Sequence, residues 1–93
     1  MSAKLFSIVE LFEIPGRGLI VVTDTAIRDV PKLLVGQKIN YRKLNGDLYH
    51  SFIRGIEMIS PFDSGRSFCF LAEENLTKTD LPIGTEVWQV GEL

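Results

Sequence analysis

Short segments rich in β-branched and aromatic residues, each ended by turn residues, follow one another along this sequence, and no long stretch has helical spacing. Residues 5–14 form the first such segment, which stops at Pro15-Gly16-Arg17-Gly18, a run that favours a tight turn. Residues 19–23 are apolar again and are predicted to form a second strand. The opening of the chain is therefore predicted to be a β-hairpin with Arg17 at its tip.

The Asn45-Gly46 pair is the clearest turn signal, because both residues tolerate the positive φ angles of a type I′ turn. It joins a predicted strand at residues 37–43 to a long one at residues 48–59. Gly55 lies inside the long strand and predicts a bulge or a sharp bend there. Between the two hairpins, Pro31 interrupts a helical spacing, so we expect an irregular connection with room for one helical turn.

Two further strands complete a predicted set of six. Residues 67–73 are apolar on both faces, which is typical of a central strand, and residues 85–90 form the last strand. Six short strands bury an apolar face best by curling into a closed barrel, which also removes exposed edges. We therefore predict an all-β fold, a small closed barrel formed by residues 1–93 as a single domain, with the first and last strands paired. A sandwich is the alternative.

Composition limits the kinds of partner. The chain has 93 residues, 45% of them hydrophobic, which suffices for one core, and its net charge of −2 lacks the basic excess expected of a protein that binds duplex DNA. Cys69 is the only cysteine and His50 the only histidine, so neither a disulfide framework nor a structural zinc site is expected. No segment resembles a signal sequence or a transmembrane helix, so we expect a cytoplasmic protein that does not bind a membrane.

Four blocks of the sequence, in the same order, resemble the second domain of elongation factor Tu and related translation GTPases. The run Glu-Leu-Phe-Glu-Ile-Pro-Gly-Arg-Gly at residues 10–18, followed by Val-Val-Thr at 21–23, resembles the opening hairpin of that domain. Residues 35–39, residues 55–58 and residues 76–88 resemble its later strands. The resemblance covers most of the chain and implies a six-stranded antiparallel Greek-key barrel, here as a stand-alone chain.

In that family the barrel helps to hold the aminoacylated end of transfer RNA. Four positions here keep the character of the family's pocket: Phe12, Ile14, Glu57 and Phe70. Val9, Ile59 and Arg66 stand where the family has a glutamate, a histidine or aromatic residue, and an asparagine, so most polar groups that would bind an esterified ribose are missing. The sequence also lacks the phosphate-binding motif G-x-x-x-x-G-K-[ST], so we expect no GTP hydrolysis by this chain.

No arrangement of side chains points to catalysis. His50 and Ser51 are adjacent, but neighbours on a strand point to opposite faces, so this spacing does not set up a nucleophilic pair. Cys69, between two phenylalanines, is predicted to be buried and inert. The acidic residues in the last third of the chain show no metal-binding spacing and are predicted to be solvated: Glu73, Glu74, Asp80 and Glu86. We therefore predict that the protein is not an enzyme and uses no cofactor and no metal.

Binding is the remaining function class, and the sequence predicts two surfaces for it. The first hypothesis is protein–protein interaction through loops that carry Arg17, Phe62 and Arg66, as a small inhibitor or immunity protein would use. The alternative is binding of single-stranded RNA along a strip on two paired strands, formed by Lys38, Arg42, Tyr49 and Arg54. Trp88 is interpreted either as a contact anchor or, preferably, as an aromatic plug of the core.

Overall fold

Seven strands and one 3-10 turn make up the regular structure of residues 2–57, 63 and 65–90, which are the residues that the computed structural model describes. The prediction of an all-β fold is confirmed. The elements in chain order are β1 (Ser2–Ile14), β2 (Gly18–Ala26), the 3-10 turn (Ile27–Asp29), β3 (Lys38–Arg42), β4 (Leu48–Phe52), β5 (Gly55–Glu57), β6 (Ser67–Leu71) and β7 (Glu86–Val90). Phe62 and the predicted end of the long strand, Met58 and Ile59, lie outside the described residues.

The long predicted strand divides into β4 and β5, which is why seven strands replace the predicted six. Ile53 still pairs with the residue before β3, since its N–H donates to the Gln37 carbonyl at 3.0 Å. One residue later, the Arg54 N–H donates to the Leu71 carbonyl of β6, also at 3.0 Å. The chain thus changes partner strand within two residues, next to the glycine, Gly55, that predicted a bend.

The strands form one antiparallel sheet in the order β4-β3-β7-β1-β2-β6-β5. β1 has two partners, because its first half pairs with β7, where Lys4 lies opposite Trp88, and its second half pairs with β2. The predicted pairing of the first and last strands is therefore confirmed. β4 and β5 lie at the two ends of the strand order and are not hydrogen-bonded to each other, so the ladder is not closed among the residues that the structure describes.

Inward-facing side chains from both halves of the sheet form a single hydrophobic core. Its centre is aromatic: the ring centroid of Phe68 lies 5.3 Å from that of Phe6 on β1 and 6.1 Å from that of Phe70 on the same strand. Tyr41 of β3 and Val87 of β7 are fully buried beside them. The middle of β6 is buried on both faces of the sheet, as its apolar sequence predicted.

The β3–β4 hairpin forms as predicted, but the type I′ turn is wrong. Gly46 has a φ of 93°, while Asn45 does not have a positive φ. The Gly46 N–H donates to the Lys43 carbonyl at 2.9 Å, and the Lys43 N–H donates to the Asp47 carbonyl at 2.8 Å, which is the pattern of a three-residue loop ending in a left-handed glycine. The Asn45 side chain accepts the Asp47 N–H at 2.9 Å, and this contact favours the longer loop.

Two features favour glycine at position 18, at the base of the first hairpin. Its φ is 117°, and the guanidinium of Arg54 occupies the space that a β-carbon would need. Gly16, in the same turn, also has a positive φ of 81° but has open space around it. A side chain at position 16 would therefore face only the unfavourable φ, whereas one at position 18 would also meet Arg54.

We expect Gly18→Ala to reduce the free energy of unfolding by about 1 kcal/mol more than Gly16→Ala, because only the first displaces Arg54 from its hydrogen bonds to the Ala72 and Arg17 carbonyls. Urea unfolding followed by circular dichroism measures both losses. Equal losses for the two variants would contradict the packing of Arg54 on Gly18.

Candidate binding surface

The four residues of the predicted cationic strip do not form one surface. Lys38 and Arg42 point outward from β3, since the alternate residues of that strand are buried. Tyr49 lies opposite the buried Tyr41 and shares its inner face. Arg54 follows the bend after β4 and lies against the opening hairpin. The predicted grouping is thus wrong for Tyr49 and Arg54, and correct for the two cations on β3.

Lys38 and Arg42 belong to a surface that we call the Trp88 face. It consists of the outward side chains of three adjacent strands, β4, β3 and β7, with one from the start of β1. Its members are Lys4, Lys38, Asn40, Arg42, Leu48, His50, Phe52, Glu86, Trp88 and Val90. Strand alternation places these residues together because every second residue of each strand faces the core.

Trp88 is held in place by polar and charged neighbours. The Arg42 guanidinium carbon lies 4.2 Å from the centroid of the indole ring, a cation–π contact. The indole N–H donates to Glu86 Oε1 at 2.9 Å, and Lys4 Nζ lies 3.5 Å from Glu86 Oε2. The hydrogen bond from Trp88 and the charge of Lys4 lower the pKa of the Glu86 carboxyl below its ordinary value. The preferred interpretation of Trp88 as a core plug is therefore wrong, and its neighbour Val87 fills that place.

Apolar side chains flank this charged group on β4. Leu48 is 54% exposed and Phe52 is 38% exposed. His50 lies between them on the same face, with its Nδ1 2.6 Å from the Asn40 Oδ1. A cleft of about 510 Å³ opens beside Phe52 and is also lined by Lys38, Asn40, His50 and Val90. The face therefore combines exposed apolar area with fixed hydrogen-bonding groups.

Arg17 and Arg54 are tied to neighbouring elements of the fold. Arg17 forms an ion pair with Glu57 of β5, which joins the tip of the first hairpin to the far edge of the sheet. Arg54 donates through Nε to the Ala72 carbonyl at 3.0 Å and through Nη2 to the Arg17 carbonyl. Both arginines line a cleft of about 690 Å³ next to Gly18. Their contacts to backbone and carboxylate give them a structural role at the end of the hairpin.

The loop residues predicted for protein binding do not lie together. Arg17 precedes β2, whereas Arg66 follows β5 in the chain and its carbonyl accepts the N–H of Ile27 just after β2. β2 has 9 residues, so its two ends are roughly 30 Å apart. Arg66 is exposed, and Phe62 lies outside the described residues. The predicted loop surface therefore has no common centre among the described residues.

A partly buried polar group lies where β4 approaches the segment after β6. Glu73 accepts the Tyr49 hydroxyl at 3.2 Å through Oε2 and the Ser51 hydroxyl at 3.0 Å through Oε1. Burial, together with the Glu73 carboxylate, raises the pKa of the Tyr49 hydroxyl, which keeps it a donor. Glu73 was predicted to be solvated. Instead, it bridges the edge strand β4 to the chain that continues from β6, and we call this contact the Glu73 bridge.

The residues considered for catalysis are separated, as predicted. Ser51 is buried on the inner face and bonded to Glu73, whereas His50 is exposed on the outer face. Cys69 is 3% exposed, and burial, with a smaller effect of Glu57, raises the pKa of its thiol. Across residues 2–57, 63 and 65–90, no three His, Cys, Asp or Glu side chains are grouped so that they could hold a metal ion.

Sequence reasoning missed the two features that define the Trp88 face. The alternation of Leu48, His50 and Phe52 with Tyr49 and Ser51 was visible in the sequence and would have placed the first three outward. The position of Trp88 above Arg42 was not visible, because it depends on the register between β3 and β7, two strands far apart in the chain.

Comparisons with known proteins gave no relative from which a function could be inferred. Within the described residues, none of the helical structure is long and apolar enough to cross a membrane. No family model matches the chain. A search of curated proteins and a search of solved structures also gave no match.

Proposed function

We propose that this protein is a non-catalytic binding module that recognises another protein through the Trp88 face. The observation that carries the proposal is the Arg42–Trp88 stack, placed beside exposed Leu48 and Phe52 on one sheet face. Tryptophan and arginine are the side chains that most often dominate binding energy at protein interfaces. The contacts to Glu86 and Lys4 keep this pair ordered, so a partner would lose little entropy in fixing it.

The module is proposed to be a small closed β-barrel of the kind found as the second domain of elongation factor Tu. Pairing of β1 with β7 supports this arrangement. The two edge strands are joined by only Ile53 and Arg54, and the Glu73 bridge spans the gap beside β4. Phe12, Ile14 and Glu57 also lie on β1 and β5 with outward register, whereas Phe70, the fourth position of the resemblance, is in the core.

Binding of single-stranded RNA is the alternative proposal. Lys38 and Arg42 on a strand face beside Trp88 support it, because small barrels hold RNA with cations and stacked aromatic rings. The separation of Tyr49 and Arg54 from this face leaves fewer groups for such a partner. For this reason the protein partner is the first choice.

Quantitative capture of proteins from a lysate of the cells that make the protein tests the proposal. Leu48→Glu and Arg42→Ala are the variants on the face, and Val35→Glu and Lys32→Ala are matched controls at exposed positions on the loop before β3. We expect the wild type and both controls to capture the same protein in similar amounts. The two face variants should capture at least about tenfold less of it.

Two results would count against this function. Capture that is equal for all four variants would mean that the Trp88 face is not the interface. Recovery of nucleic acid instead of protein, with a steep loss as salt is raised, would favour the RNA alternative. Circular dichroism of each variant confirms that the fold is retained.

A further inference from the structure

Charge is distributed unevenly between the Trp88 face and the rest of the chain. The outward side chains of the face include Lys4, Lys38 and Arg42 against the carboxylate of Glu86, a surplus of +2. The Glu73 carboxylate also lines the cleft beside Phe52, where it is bonded to Tyr49 and Ser51. The whole chain has a net charge of −2, so the remainder carries −4. This acidic protein therefore presents a basic face, and Trp88 lies on that face.

Two cations of this face form no ion pair within the described residues. Glu86 is paired with Lys4, whereas neither Lys38 nor Arg42 forms an ion pair in the described part of the chain. They lie four residues apart on one side of β3, so their Cα atoms are separated by roughly 13 Å. Leu48 and Phe52 face Arg42 and Lys38 on the next strand and are directly paired with them. Lys38 and Arg42 thus each have an exposed apolar neighbour.

We infer that the Trp88 face binds an acidic protein segment, in which apolar side chains cover Leu48 and Phe52 and carboxylates meet Lys38 and Arg42. The inference rests on the proposed function and names the chemistry of its partner. Complementary charge would favour this segment in the encounter and fix its position on the face, while the apolar contacts would supply most of the affinity.

A polyanion such as RNA fits the same face less well. Bases need a free aromatic surface to stack on, and the Trp88 ring is already covered by Arg42. A nucleic acid strand also extends beyond a face of this size and would meet the remaining −4 of the chain. In an acidic protein segment, the negative charge can be confined to the few residues that contact the face. The two exposed apolar side chains also give such a segment contacts that phosphates do not use.

Selection of random short peptides displayed on phage tests the inference, with the folded full-length chain as bait. The double variant Lys38→Glu/Arg42→Glu removes the basic character of the face. Arg28→Glu/Lys32→Glu makes the same change in net charge at exposed positions away from it, and is the control. Deep sequencing gives the enrichment and the net charge of each selected pool.

We expect the wild type and the control to enrich acidic peptides that contain apolar residues. The face variant should enrich these peptides at least about tenfold less. Peptides that depend on the face but are not acidic would overturn the inference and leave the proposed function standing. If no enriched peptide depends on the face, the proposed function fails as well.

Two further measurements test whether RNA or a second copy of this chain occupies the Trp88 face instead. Saturable binding of fluorescein-labelled oligouridylate that is lost in the face variant would overturn the inference in favour of RNA. Concentration-dependent self-association in sedimentation experiments, lost in the same variant, would overturn it in favour of a second copy of this chain. Neither is expected with the wild type.

Discussion

Phe70→Ala will remove a large part of the stability of this protein. Phe70 is fully buried, and its ring centroid lies 6.4 Å from that of Phe6 and 6.1 Å from that of Phe68. Truncation of a buried phenylalanine costs about 3–5 kcal/mol, because apolar contacts are lost and a cavity remains. Since small domains are stable by only about 5–15 kcal/mol, we expect a large shift of the urea midpoint, or a chain that is partly unfolded at room temperature.

Phe52→Ala is the matched control, because it removes the same side chain from an exposed position on the Trp88 face. We expect this variant to lose less than about 1 kcal/mol. Equal losses for the two variants would mean that the aromatic group of Phe6, Phe68 and Phe70 is not the centre of the core. Urea unfolding followed by far-ultraviolet circular dichroism provides both values.

Glu73→Ala is expected to have the second-largest effect, a loss of about 2–3 kcal/mol. The substitution leaves the hydroxyls of Tyr49 and Ser51 without their common acceptor, and Ser51 is buried. It also breaks the Glu73 bridge beside β4, which has no strand partner on that side in the described part of the chain. Local unfolding should therefore increase at β4 first. Amide hydrogen exchange measures this as a larger increase in rate over the wild type at residues 48–52 than in β1 and β2.

The neighbouring glutamate gives a control for the Glu73 bridge. Glu74 is exposed, and we expect Glu74→Ala to change stability by less than about 0.5 kcal/mol. Glu73→Gln retains one acceptor oxygen and should fall between the two alanine variants. The bridge would be refuted if Glu73→Ala were as stable as Glu74→Ala, or if exchange at residues 48–52 did not change.

Local sequence signals were enough to predict most of the fold. Turn residues at 15–18 and 45–46 correctly placed both hairpins, and Gly55 marked the bend that divides β4 from β5. The pairing of β1 with β7 also followed, because a short all-β chain gains most by joining its first and last strands. The turn type at Asn45 was missed because the side-chain contact to Asp47 favours a longer loop than the dipeptide alone suggests.

The candidate site was less predictable, because it depends on faces and registers that involve distant parts of the chain. Lys38 and Tyr49 were grouped from strand pairing alone, but the two side chains lie on opposite faces of the sheet. Trp88 looked like a core residue by its size, and only its register with Asn40 places it outside. Glu73 was indistinguishable in sequence from a solvated acid, since Tyr49 and Ser51 are more than twenty positions away.

The ordered position of Trp88 has a practical consequence. It is the only tryptophan of the chain, so all indole emission originates from the proposed interface. Contact with a partner would change the solvation of the ring and displace or tighten Arg42 above it. An unlabelled titration followed at the emission maximum therefore reports directly on occupancy of this surface, and the Phe6–Phe68–Phe70 interior contributes no competing signal.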